Sequence, residues 1–132
     1  MNNLLKSVFG EAQVKNTAVY TSFSPLAPSK SSEITLTDGV MSFSEGSVYS
    51  TCDGVVEKVN KIDDLYTITI RHSDTFTTVI SGLEHCFLTE GENAYKTLPL
   101  GYSSSEVKVS MFDSDAILTG YMLSGDEIVW VN

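Results

Sequence analysis

Histidine is scarce in this chain: His72 and His85 are the two present among 132 residues, alongside two cysteines, three prolines and one tryptophan. Chemistry that draws on several imidazoles is therefore out of reach. Cys52 and Cys86 lie far apart and form no CxxC unit, so neither a zinc ribbon nor a thioredoxin-like redox site is indicated. Two free, partly buried thiols are expected, with a single disulfide as the competing possibility. Basic residues are also few. Eight Lys and Arg stand against 17 Asp and Glu, for a formal charge of -9. The average field repels phosphate backbones, which argues against nucleic acid as a partner. The acids are scattered singly, as on an ordinary solvated surface. No stretch approaches the roughly 20 apolar residues that cross a bilayer, and the opening MNNLLKSVFGEAQVK lacks the charged start and apolar centre of a signal peptide.

What is present is a globular composition, 42% apolar with six Tyr and six Phe, at a length that suits one domain. The first 30 residues carry one short apolar cluster, Leu4, Leu5, Val8 and Phe9, at a spacing for one or two helical turns. The stretch TSFSPLAPSKSSE then holds Pro25 and Pro28, so residues 1-32 are expected to form an irregular or partly helical lead-in. From 33 to 132 the texture is β: short runs rich in β-branched and aromatic residues, separated by Gly, Asp, Asn and Ser. Strands are predicted near 34–43, 47–52, 54–60, 65–72, 75–81, 84–88, 106–112, 117–123 and 127–131. In DLYTITIRH, Tyr66, Ile68 and Ile70 alternate with Thr67, Thr69 and Arg71; in EVKVSMF, Val107, Val109 and Met111 alternate with Lys108 and Ser110. Turns fall at Asp38-Gly39, Asp53-Gly54, Lys61 to Asp64 and Ser124-Gly125. The expected fold is all-β, a compact antiparallel sandwich or barrel-like domain.

Three segments arrive in an order that resembles the lysostaphin or LytM type of zinc-dependent cell-wall endopeptidase. EGSVYSTCDGVVEKV is similar to that family's first strand pair, with Gly46, Val48, Gly54 and Val56 at matching places. YTITIRHSDTFTTVISGL resembles its v-x-I-x-H-x-d-G-y-x-T-x-Y-x-H-L hairpin, and LTEGENAYKTLPLG its Gly-rich turn and following strand. The resemblance implies the duplicated-hybrid-motif fold of that family. It also implies a metal site, a zinc held by two His and one Asp with an open position for water.

Each of those places is occupied by something else. The H-x-x-x-D motif falls on Leu36 and Val40, the H-x-H motif on Val109 and Met111, and the assisting His of Y-x-H-L on Gly82. Met111 offers a thioether, a soft and poor partner for zinc. A slip of register could not restore the site, since two ligand His and a catalytic His require three and the chain has two. His72 matches the family's non-ligand hairpin His, for which the expected role is a structural hydrogen bond. A metal site built on the adjacent His85 and Cys86 is disfavoured, because neighbours on a strand point to opposite faces.

The chain thus resembles degenerate, non-catalytic LytM-like domains, including those of paired membrane proteins in endospore formation. The resemblance implies a scaffold that binds another protein, in an extracytoplasmic or membrane-associated setting through a segment outside this chain, with no cofactor. Its candidate binding groove is the vestigial site: Leu36, Val40, His72, Gly82, Val109 and Met111. These apolar side chains could equally do no more than fill the core. Two further readings compete with the scaffold. One is a peptidoglycan- or carbohydrate-binding module, with Tyr20, Tyr49, Tyr95, Tyr102 and Tyr121 as stacking rings. The second is a biotinyl- or lipoyl-like carrier, although Lys96 and Lys108 lie in no carrier motif. Met111→His alone is expected to create no zinc site; stoichiometric zinc in that variant, measured by elemental mass spectrometry, would disprove the assigned register.

Overall fold

Consecutive residues in the left-handed region set two of the hairpins. Asp38 (φ 51°) with Gly39 (φ 81°), and Asp63 (φ 52°) with Asp64 (φ 69°), each supply the two positive-φ positions of a type I′ turn, whose twist matches that of paired strands. The structure is a computed structural model that describes residues 18–131; the apolar cluster from Leu4 to Phe9 lies outside them. A 3-10 turn at Val19–Ser22 is followed by eleven strands: β1 (Thr35–Thr37), β2 (Val40–Tyr49), β3 (Gly54–Ile62), β4 (Leu65–Arg71), β5 (Phe76–Leu83), β6 (His85–Cys86), β7 (Asn93–Ala94), β8 (Pro99–Asp113), β9 (Ala116–Ile117), β10 (Tyr121–Ser124) and β11 (Glu127–Trp130).

Nine strands form one antiparallel sheet in the order β1-β2-β8-β5-β4-β3-β7, with β6 and β9 also paired to β8, while β10 and β11 form a separate hairpin. The fold is all-β, as expected. The large sheet is open rather than closed into a barrel, because its outermost strands β1 and β7 do not pair with each other.

Register assigns every side chain to a face. Met41 pairs with Val109, Val109 with Ile80, and Ile80 with Ile68, and all four have 0% exposure. The residues between them, Val40, Ser110, Val79 and Thr69, are half-buried on the opposite face. A second layer covers the apolar face. Leu118, Tyr121 and Ile128 of the C-terminal segment belong to the same buried cluster. The lead-in is laced into this layer: Leu26 N–H donates to the Thr51 carbonyl, Tyr49 N–H to Pro28, and Ile128 N–H to Pro25.

Several predicted strands differ from those observed. The run 34–43 is cut at Asp38-Gly39 into β1 and β2, and β2 continues through a bulge at Glu45 (φ 61°) and Gly46 (φ 123°), absorbing the first half of the predicted 47–52. The run 84–88 shrinks to His85–Cys86, and 117–123 divides into β9 and β10. Strand β8 begins at Pro99 instead of 106, since the Pro, Gly and Ser of PLGYSSS conceal a segment that pairs with β2 and β6.

Gly82 and Gly91 share a positive φ, 92° and 90°, but a Cβ on Gly82 would lie 2.4 Å from the Glu106 carbonyl oxygen and one on Gly91 would meet nothing within 4 Å. Gly91→Ala is therefore expected to cost about 1–2 kcal/mol, the left-handed penalty alone. Gly82→Ala adds a backbone clash and is expected to cost roughly 2–4 kcal/mol, read as a larger drop in urea midpoint at unchanged slope.

Candidate functional site

The strand pairing separates the candidate positions. Leu36 lies opposite Met41, and Met41 opposite Val109, so Leu36, Val109 and Met111 share the apolar face. Val40 pairs with Ser110 and points the other way. Met41, not Val40, is the β2 side chain beside Val109. Gly82 sits beyond the last β5–β8 pair, Ser81 with Lys108, against the Glu106 carbonyl. A side chain as large as His has no room there.

Val109 and Met111 are fully buried and Leu36 packs against the core. Their cover is aromatic. Phe76 stands on the same face of β5, with ring centroids of Phe23 at 5.0 Å, Trp130 at 6.0 Å and Tyr20 at 6.1 Å. Such tilted and edge-on pairs add about 0.5–1.5 kcal/mol each beyond the area they bury. Two hydrogen bonds tie the cover down: Trp130 Nε1–H donates to the Phe23 carbonyl at 3.0 Å, and the Tyr121 hydroxyl to the Gly39 carbonyl at 2.9 Å. A cleft of about 490 Å³ between the lead-in and β11, lined in part by Phe23, Pro25, Lys96 and Trp130, includes none of the six candidate positions.

His72 is the polar member of the set, and its contacts fix its tautomer. Its Nδ1 lies 3.0 Å from the Asp53 carbonyl, which can only accept, so Nδ1 carries the proton. Nε2 then accepts from the Thr78 hydroxyl at 2.7 Å, and Thr78 accepts from Thr51 at 2.7 Å. Thr51, Thr78, His72 and Asp53 form one directed chain. Thr78 is paired with Met111, so this chain runs beside one of the six candidate positions. Burial holds the His72 pKa below its ordinary 6.5, against the opposing backbone hydrogen bond and charge of Asp53.

The remaining groups offer little chemistry. Among the described residues no three His, Cys, Asp or Glu side chains are grouped to hold a metal. Cys52 and Cys86 are free, and burial pushes the Cys52 thiol up to about 12, which leaves it protonated and a poor nucleophile. Of the five tyrosines considered for sugar stacking, Tyr121 is buried, Tyr20 belongs to the aromatic cover and Tyr49 lies under the Lys30 ammonium at 4.7 Å, while Tyr95 and Tyr102 are exposed. Nothing in the sequence pattern points to the aromatic cover, whose members are spread from Tyr20 to Trp130. One signal does point to the polar chain, the matching of His72 and Thr78 to the His and Thr of the family hairpin.

No protein-family model and no curated protein matches the chain. Solved structures do resemble it. A zinc-containing peptidase from Vibrio cholerae superposes with a TM-score of 0.56 at 16% identity, over 72% of this chain and 34% of its own. The chain therefore spans about one third of that protein. A chain of the SpoIIIAH and SpoIIQ complex gives 0.56 at 15% identity, over 81% and 83% of the two chains. One from the SpoIIQ-SpoIIIAH pore-forming complex gives 0.55 at 15%, over 80% and 75%. At these identities the likeness is one of fold. The domain has the LytM-like fold.

The His72 shift predicts a pH dependence. Its folded pKa is depressed, so its neutral form contributes stability above the unfolded value of 6.5 that is lost as pH falls through the folded pKa. Urea midpoints measured between pH 7.5 and 5 should fall with acid in the native chain and fall less steeply in His72→Gln. Equal slopes would show that another group titrates.

Proposed function

We propose that this chain is a non-catalytic protein-binding domain on the scaffold of the cell-wall zinc endopeptidases, acting within a cell-envelope or sporulation complex. The observation that supports the proposal is burial. Leu36, Val109 and Met111, which the resemblance matches to motif positions of the peptidases, lie on the apolar face, with Val109 and Met111 at 0% exposure. Zinc catalysis needs donor ligands and an open position for water or substrate. Valine and leucine have no donor atom, and the thioether of a buried methionine is a poor one.

The protein-partner part rests on the company the fold keeps. Two of the similar structures are of a complex between two proteins, SpoIIQ and SpoIIIAH. A chain that keeps this fold without its ligands has surfaces to offer and no chemistry, and the partner it would hold is another protein of the envelope complex. No cofactor is required.

Two measurements test this. Purified chain dialysed against zinc is expected to retain well under one metal per chain by elemental mass spectrometry, and to release no peptide from cross-linked peptidoglycan. One tightly bound zinc, or zinc-dependent cleavage, would replace the scaffold with an enzyme. The soluble domain of a SpoIIIAH-like protein from the same organism, mixed with this chain, is expected to co-elute with it in size-exclusion chromatography.

A further inference from the structure

The outward face of the nine-stranded sheet has a charge unlike the rest of the molecule. Continuing the strand register across it, the middle row reads Lys58, Thr69, Val79, Ser110, Val40 and Thr37, from β3 to β1. The next row towards one end contains Arg71 and Thr77, and the next towards the other contains Ser81 and Lys108. None of these residues is buried, and Lys58, Arg71 and Lys108 are exposed. The three rows contain three cations and no carboxylate. The chain as a whole has 17 acids and eight basic residues. The nearest carboxylates are unpaired or lie one row further out: Glu57 is the extra residue of the β3 bulge beside Lys58, Glu106 stands opposite Ser44 next after Lys108, and Asp113 lies beside the β8–β9 turn.

We infer that this sheet face, whose paired rows hold three cations and no carboxylate, is the docking surface for an acidic surface or segment of the partner protein, an inference that rests on the protein-binding function proposed above. Charge complementarity selects the partner's sign. The chain's average field opposes an anion at long range, but at physiological ionic strength charges beyond about 8 Å are screened, so the local face governs contact. Strand spacings make the face roughly 24 Å across six strands and about 14 Å along three rows. With its side chains that is about 600 Å², near the roughly 800 Å² that each partner buries in an ordinary specific interface. Composition selects protein over glycan. Val79 and Val40 interleave with hydroxyls in the middle row, giving the mixed polar and apolar texture of a protein interface. Sugar sites instead rely on exposed rings for stacking; the one aromatic residue of these rows, Phe112, is half-buried, and the exposed Tyr102 lies beyond Glu106 on β8.

The probe is poly-L-glutamate of about 20 residues, titrated at about 0.15 M salt into the isotopically labelled chain while backbone amide shifts are followed. Shifts are expected on the outward rows of β3, β4, β5 and β8. The paired change Lys58→Glu with Lys108→Glu should weaken binding at least about tenfold. Lys30→Glu with Lys61→Glu alters net charge by the same amount off this face and should leave it within about twofold. All four side chains are exposed, and matched unfolding midpoints would confirm intact folds. Equal loss in both pairs, shifts at other surfaces, or no shifts would overturn the inference. Tighter binding of polygalacturonate than of poly-L-glutamate to the same rows would overturn it in favour of an anionic glycan. Zinc-dependent hydrolysis would remove the scaffold function while leaving the titration as it stands, so the two failures are distinguishable.

Discussion

Phe76 has no exposed surface and meets four rings, those of Tyr20, Phe23, His72 and Trp130, at centroid distances between 4.8 and 6.1 Å. The large sheet, the lead-in and the C-terminal hairpin all converge on this one side chain. A single open sheet has two faces, and one of them here is a continuous apolar surface that must be kept from water. Ile80, Val109, Met111 and Met41 would be solvated without the second layer. Truncating a buried Phe of this kind costs about 3–5 kcal/mol, a large share of the stability of an ordinary domain.

The hydrogen-bond chain through His72 has a different role. A net contribution of about 1 kcal/mol per bond is small beside the aromatic packing. Its effect is on geometry: with Nδ1 committed to the Asp53 carbonyl and Nε2 to Thr78, the ring is fixed in place and offers no free nitrogen to a metal or a substrate. Thr51, Thr78 and His72 are thus satisfied internally. Val109 and Met111 on the apolar face are core.

This use of one face constrains what the domain can do. A metallopeptidase needs its sheet face open to receive an extended peptide, whereas here that face is occupied by the protein's own N- and C-terminal segments. The outward face stays uncovered in this fold, and its paired rows hold three of the chain's eight basic residues.

Strand identity was legible in the sequence wherever alternation was clean, as in β4 and the later part of β8, because a period of two is a local property that the chain carries by itself. The scarcity of histidine was equally legible, since a count of residue types needs no fold. The early half of β8 was not, because Pro99, Gly101 and its serines have no strand signature and are extended only through pairing with β2 and β6. Nor was the grouping of the candidate site. Counting residues placed Val40 with Leu36, while the Asp38-Gly39 turn and the pairing to β8 put Met41 there and turned Val40 outward. A shift of one residue reverses every side chain of a strand, and only hydrogen bonds between segments distant in sequence can set it. The same cause hid the aromatic cover and the cation-bearing rows of the outward face. Both are made from residues far apart in the chain, and they exist only once the strands are in register.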